Sequence, residues 1–277
     1  MKAGLTRSGK QDAIPHLSLF RRAGAITLVA AASAALAGCG GGIGATLTFN
    51  DVVKEKVSKI VLDGSSGDVK VSPSTTPETK IIRIVHSNTD PGVSYTLTGS
   101  ELHLSTSCGR NCRVSYQIEA PAGVAVIGEL RSGTVDLTGV SSADVRVSSG
   151  DIEIRGATGA VTARAISGNV RITDSKGPAT LEAASGDIQA INLGGNVTAT
   201  ATSGNIDVKL DTPASVTAAA SSGDVNLIVP AGAYQVRAQA NSGDRTVNGI
   251  TEDATSKNVL DVRASSGDVT LTAAPAA

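Results

Sequence analysis

The chain has 277 residues, which is enough for one or two domains with a substantial core. Hydrophobic residues make up 40% of it but aromatic residues only 2%, so the core must consist of Ala, Val, Ile and Leu. A thick globular core normally uses aromatic side chains as filling, and this composition instead favours a thin structure made of short strands.

The first 38 residues have the pattern of an export signal. Five basic residues and one acidic residue precede an apolar run at 23–37, and this run ends in small residues. The run is shorter than the roughly 20 residues that a membrane-spanning helix needs. Without this segment, totals of 24 basic and 25 acidic residues fall to 19 and 24, a formal charge of −5. Nucleic acid is therefore not an expected partner, because binding to phosphates requires a basic surface.

The segment Leu36-Ala37-Gly38-Cys39 resembles the lipobox of bacterial lipoproteins. That resemblance implies that Cys39 carries a lipid and becomes the mature N-terminus, which predicts a membrane as partner and the outer face of a bacterial membrane as location. Ordinary signal cleavage beside an incidental cysteine is the alternative. The glycine-rich residues 39–48 suit a flexible tether.

Residues 49–125 contain strand-like segments without a regular period and predict an irregular β cap. Cys108 and Cys112 flank Gly-Arg-Asn, and apolar residues alternate on both sides. In an extended strand the two thiols would be about 13 Å apart, so the chain must turn there, and a hairpin stapled by a disulfide is expected outside the cytoplasm. A redox-active or metal-binding pair is the alternative.

Residues 126–277 repeat a Ser-Gly-Asx motif. Its glycines, from Gly133 to Gly267, recur in steps of 17, 18, 18, 18, 19, 20 and 24 residues, and Gly67 is an isolated copy upstream. Apolar residues alternate with period 2 on both flanks, so each repeat predicts strand, turn, strand, turn. Units this small must stack on one another. The expected fold is all-β: a single-chain β-solenoid, similar to a right-handed parallel β-helix, with about 18 residues per coil.

The Ser-Gly-Asx motifs themselves are predicted to form turns. Glycine supplies the backbone conformation, and the Asx side chain is expected to bond the local backbone. The turn-forming residues are Gly150, Asp151, Gly168, Asn169, Gly186, Asp187, Gly204, Asn205, Gly223 and Asp224. Because acids and amides alternate, neighbouring carboxylates would be separated by two coils, about 10 Å. A calcium ladder would have crowded acids, so structural turns are favoured over metal sites, and no cofactor is expected.

The repeat is irregular near its C-terminal end. Arg245 occupies a position where other repeats have an inward-pointing apolar residue, which predicts a bulged strand with an exposed arginine. The polar segment 251–257 predicts a loop, and the last motif, at 265–271, is expected to help cap the stack.

Serial SGDV/SGDI units, the preceding segment C…CxVxYxIxAPxG and the lipobox together resemble the DUF4097-type family of bacterial adhesin candidates. This resemblance implies a non-catalytic β-solenoid at the cell envelope that serves as an adhesin or interaction scaffold, with an unidentified protein or glycan as partner. An envelope sensor or assembly factor is one alternative. The other is a polysaccharide lyase or hydrolase, but exposed acids such as Glu153, Glu182 and Asp207 change type from coil to coil, which disfavours a catalytic cluster.

Overall fold

The computed structural model describes residues 45–87 and 90–274, and this part of the chain contains 24 strands and no helix. The strands form two sheets of 12 that face each other. Sheet A contains, in spatial order, β1 (Thr46–Val53), β4 (Thr79–His86), β7 (Arg113–Pro121), β3 (Val69–Ser74), β9 (Val135–Thr138), β11 (Ile152–Arg155), β13 (Val170–Thr173), β15 (Ile188–Leu193), β17 (Ile206–Leu210), β19 (Val225–Val229), β24 (Val269–Ala273) and β21 (Arg245–Asn248). Sheet B contains β22 (Thr251–Glu252), β20 (Ala233–Ser242), β23 (Val259–Ser266), β18 (Val216–Ser222), β16 (Val197–Ser203), β14 (Ala179–Ser185), β12 (Val161–Ser167), β10 (Ser142–Ser149), β8 (Ala125–Ser132), β2 (Lys59–Ser66), β6 (Glu101–Ser105) and β5 (Tyr95–Thr98).

Successive repeats stack as parallel coils, which confirms the predicted β-solenoid. Each repeat contributes one strand to sheet B and the next to sheet A, and equivalent positions pair in register. Ile152 lies opposite Val170, and Val170 lies opposite Ile188. The period of about 18 residues allows this register, because residues at equivalent positions of the repeat then lie directly above one another in successive coils.

The core is a thin layer between the sheets. In the coils from β12 to β18, sheet B contributes mainly alanine, such as Ala163, Ala199 and Ala201, while sheet A contributes larger aliphatic residues such as Ile152 and Ile172. All five side chains are completely buried. Small residues on one wall let the other wall approach closely, which explains how the fold manages almost without aromatic residues.

The coils at the C-terminal end do not stack in chain order. Strand β23 pairs with β18 on one side and with β20 on the other, so the coil of Gly267 lies between the coils of Gly223 and Gly243. The expectation that the last motif caps the stack is therefore wrong. The coil of Gly243 forms the end of the stack, and the coil of Gly267, the last in sequence, is inserted beneath it.

At the other end, the isolated copy of the motif belongs to the regular stack. Strand β2 pairs in parallel with β8, and β3 with β9, so the coil of Gly67 lies directly on the coil of Gly133 although 66 residues separate the two glycines. Antiparallel pairs, β1 with β4, β4 with β7 and β5 with β6, complete this end.

Cys108 and Cys112 form a disulfide, with 5.3 Å between their Cα atoms. The predicted hairpin ladder around it is wrong, however. Strand β6 before the disulfide belongs to sheet B and β7 after it belongs to sheet A, and only an isolated bridge joins Ser107 to Arg113. Alternating apolar residues on both sides reflect two strands that face the same core from opposite sheets.

Residues 1–38 and Cys39 lie outside the described residues, and strand β1 begins at Thr46. Within the described part of the chain there is no helix of the length and apolar character needed to cross a bilayer.

Candidate functional site

The Ser-Gly-Asx motifs form one corner of the solenoid. Gly150, Gly168, Gly186, Gly204 and Gly223 have φ between +133° and +143°. A Cβ atom on any of them would overlap the carbonyl oxygen of the glycine in the preceding coil. Only glycine fits this corner, both for its backbone conformation and for the contact between coils.

The Asx side chains of this corner link one coil to the next. The Oδ1 atom of Asp151 accepts a hydrogen bond of 2.7 Å from the backbone N–H of Asn169, and Asn169 accepts one of 3.0 Å from Asp187 in the same way. We call this series the Asx ladder; in stacking order it contains Asp151, Asn169, Asp187, Asn205, Asp224, Asp268 and Asp244. The expectation of a bond within each turn is therefore wrong: the side chain holds the neighbouring coil.

The charge pattern of the Asx ladder changes towards its C-terminal end. Acids and amides alternate from Asp151 to Asp224, but Asp224, Asp268 and Asp244 then follow one another in adjacent coils. Across the described residues, no group of three or more His, Cys, Asp or Glu side chains is arranged to hold a metal ion.

The opposite corner has a different backbone conformation. Gly156, Asp174 and Asn192 stack there with φ of +67°, +56° and +58°, values that Asp and Asn tolerate better than other side chains. The Asn192 side-chain amide donates to Asp174 Oδ1 at 3.0 Å. This corner accepts three residue types because a Cβ atom has space: the nearest atom to one built on Gly156 is 4.0 Å away.

The N-terminal end of the core is closed by a buried ion pair. Arg83 Nε donates to Asp51 at 3.0 Å, and the two side chains are only 4% and 6% exposed. The guanidinium also donates to the Gly92 carbonyl at 2.8 Å and lies 4.7 Å from the centre of the Phe49 ring. Burial raises the pKa of the neighbouring Tyr95 hydroxyl to about 12, with a smaller contribution from the Asp51 carboxylate.

Arg245 closes the C-terminal end. Strand β21 pairs with β24 without a register shift, placing Arg245 opposite Val269, so the expected bulge is wrong. Its Nε donates to the Ala238 carbonyl at 3.1 Å, and its guanidinium lies 3.6 Å from Glu252. A charged residue is tolerated at this inward position because the coil of Gly243 is the outermost one and no further coil covers it.

The outer face of sheet B carries a groove that crosses the coils. It consists of three adjoining depressions of about 430, 440 and 370 Å³, which share lining residues. Asp63 belongs to the first two, and Arg146 belongs to the last two. We call the three together the outer groove; it extends from strand β5 to β16, seven strand spacings or about 34 Å.

One column of side chains forms the floor of the outer groove. Register places these residues opposite one another on successive strands, in the order Ser105, Asp63, Glu129, Arg146, Arg164, Glu182 and Thr200. Arg164 is paired with Asp144 at 3.4 Å and Glu182 at 3.2 Å. Sequence reasoning missed Asp63, Glu129 and Arg146 as candidate site residues, because the stacking of the Gly67 coil on the Gly133 coil brings them together.

Comparisons with known proteins give a family. A crystal structure from Bacteroides fragilis, named a "putative adhesin", is similar with 15% identity and a TM-score of 0.49, covering 82% of this chain and 97% of that one. A crystal structure from Clostridium sporogenes, named a "putative cell adhesion protein", has 14% identity and a TM-score of 0.25, covering 83% of this chain and 100% of that one. No curated protein matches the chain. The family model Toastrack DUF4097 matches residues 47–272, which is most of the chain. The chain therefore belongs to the Toastrack DUF4097 family.

Proposed function

We propose that the protein is an exported, lipid-anchored and non-catalytic component of the bacterial cell envelope, which binds an extended partner on the outer face of its solenoid. The observation that carries this proposal is the outer groove, whose three adjoining depressions cross eight strands of sheet B. An adhesin or interaction scaffold needs a long, rigid surface of this kind.

The construction of the coils supports a binding role. Each coil is fixed to its neighbours by backbone ladders and the Asx ladder, so side chains on the outer face are held at regular spacing. A preorganised surface loses little conformational freedom when a partner binds. The variable residues of the outer face can then provide specificity without altering the core.

The export and anchoring part of the proposal rests on the lipobox at Cys39 and is tested by cell fractionation. Wild-type protein should sediment with membranes, and Cys39→Ala should move it to the soluble fraction. The matched control is Cys108→Ala, which also removes a cysteine but should leave the protein in the membrane fraction. Membrane association that survives Cys39→Ala would contradict the lipid anchor.

One observation favours a second candidate, a polysaccharide-cleaving enzyme. Asp63 and Glu129 lie opposite each other on adjacent strands in the outer groove, and glycosidases act through two carboxyl groups. Incubation of neutral and acidic polysaccharides with the purified full chain, followed by analysis of chain length, decides between the candidates. Shortening that is abolished by Glu129→Gln would establish the enzyme; unchanged chain length supports the binding role.

A further inference from the structure

The middle depression of the outer groove holds four charged side chains that make no ion pair with one another: Asp63, Glu129, Arg131 and Arg146. Among the described residues, none of the four has an oppositely charged group within 4.0 Å. This is unexpected for Glu129 and Arg146, because register places them directly opposite on β8 and β10.

In the next coils, oppositely charged residues in the same arrangement do form an ion pair. Arg164 and Glu182 are also directly opposite, on β12 and β14, and their side chains approach to 3.2 Å. Glu129 instead lies beside a second carboxylate, Asp63, on the other side. Like charges directly opposite in a sheet are destabilising, and register also places Arg146 opposite a like charge, Arg164. Arg164 is neutralised by its ion pairs with Asp144 and Glu182, whereas Glu129 and Asp63 have no such partner among the described residues.

The strands beneath these residues also depart from the repeat. Gly128 has φ of +126° in the middle of β8, where equivalent positions of other coils hold residues such as Val145 and Ala163. Gly64, on β2, lies in the lining of the same depression. Interior glycines of this kind mark bends or close backbone approaches, and here both occur at the place where the charged groups are unpaired.

The chemistry of the depression is that of a site for hydroxyl groups. Two carboxylates accept and two guanidiniums donate, while the hydroxyls of Ser65, Ser107 and Ser148 can do both. The Ser105 hydroxyl donates to the Ser107 carbonyl at 3.2 Å and can still accept. The four charges sum to zero, so neither an anionic nor a cationic chain gains net attraction. The groove extends across several coils, which fits a polymer more closely than a single small molecule.

We propose that the outer groove binds a neutral polysaccharide chain, with Glu129 and Arg146 hydrogen-bonding its hydroxyl groups. This proposal rests on the proposed binding function and specifies its partner. Because neither side chain is in an ion pair, both can bind the sugar. One of two neighbouring hydroxyl groups donates to the carboxylate of Glu129, and the other accepts from the guanidinium of Arg146.

The experiment uses the purified full chain and isothermal titration calorimetry with neutral six-sugar oligomers of gluco, manno and galacto configuration. At least one oligomer should bind, and Arg146→Ala and Glu129→Gln should each weaken that binding about 10-fold, the effect of losing one charged hydrogen bond. Arg171→Ala is the matched control, because Arg171 is an exposed arginine of sheet A without an ion pair among the described residues. It should leave the affinity unchanged.

A second measurement separates a binding role from a structural one. Glu129→Gln removes the repulsion from Asp63, so it should raise the urea midpoint of unfolding while it weakens sugar binding. A residue with only a structural role would move stability and binding in the same direction.

Three results would overturn the proposal: no binding by any of the neutral oligomers, equal affinity in wild type and Arg146→Ala, or binding of polygalacturonate or polylysine in their place. The broader function is tested separately with beads that carry the full chain. If such beads adhere to intact cells and Arg146→Ala does not reduce adhesion, the binding function stands and the outer groove is not its site.

Discussion

Replacing Gly186 by alanine tests whether the Ser-Gly-Asx corner is maintained by contact between coils. Gly186 has φ of +140°, and its new Cβ atom would overlap the carbonyl oxygen of Gly168. That oxygen belongs to the backbone, so the overlap is relieved only if the two coils separate locally. Gly156→Ala is the matched control, since Gly156 also has positive φ but offers space for a Cβ atom.

The expected losses follow from these two environments. Positive φ costs alanine about 1–2 kcal/mol at Gly156, which is in the left-handed helical region, and about 1–3 kcal/mol at Gly186, whose φ of +140° is adopted almost only by glycine. Separation at Gly186 additionally weakens the hydrogen bonds between the turns, which include Gly168 N–H to Ser185 O at 2.9 Å and Asp187 N–H to Asn169 Oδ1 at 3.0 Å. With about 1 kcal/mol for each of two or three bonds, Gly186→Ala should lose about 3–6 kcal/mol.

Urea unfolding followed by circular dichroism measures both losses, provided that the slope of the transition is the same in all variants. Gly156→Asn adds a second control: it should be almost neutral, because Asp174 and Asn192 already occupy the equivalent corner. Equal losses for Gly186→Ala and Gly156→Ala would refute the argument, because the cost would then come from backbone conformation alone.

Three further predictions concern single side chains. Asp268→Asn should stabilise the protein by about 0.5 kcal/mol at low salt, because Asp268 has carboxylates in both adjacent coils; salt should abolish the gain, and Asp187→Asn, which lies between two amides, should show none. Ser175→Ala should raise stability by about 1 kcal/mol in urea unfolding, since the buried hydroxyl has no hydrogen-bond partner among the described residues; a loss instead would mean that the hydroxyl is bonded. Burial raises the pKa of the Tyr116 hydroxyl from 10.0 to about 12. The folded protein therefore binds this proton more tightly than the unfolded chain, and about 2–3 kcal/mol of the free energy of unfolding should be lost as the pH rises from about 10 to 12. Stability curves of Tyr116→Phe should lack that loss, and identical curves for both proteins would contradict the assignment.

The regular coils were predictable from sequence because their information is local. The alternation around Ile152 and Ile154 defines strands, the spacing of about 18 residues defines the coil, and stacking follows because no single coil can bury its apolar side. The Asx residues were correctly placed at a corner, but the direction of their hydrogen bonds was not predicted. A side chain in a turn can bond its own backbone or the next coil, and sequence does not distinguish the two.

Features that depend on which coils are neighbours were not predictable. The coil order at the C-terminal end, the position of Arg245 and the pairing of Asp63 with Glu129 all result from contacts between segments that are not consecutive. The alternation of acids and amides was followed only from Asp151 to Asp224, so the run of acids at Asp224, Asp268 and Asp244 was missed. The outer groove was missed for the same reason, since its floor includes residues from both sides of a 66-residue separation.

The inserted coil has a consequence for the order of folding. Strands β20 and β21 cannot pair with β23 and β24 until these last strands have been synthesised and have entered the stack. Until then the edge at β18 and β19, which β23 and β24 will cover, remains open, and β20 and β21 lack the strands on which they dock. Completion of the solenoid is therefore coupled to delivery of its last strands, so a chain interrupted before Val259 would lack both the inserted coil and the docking site for the end coil.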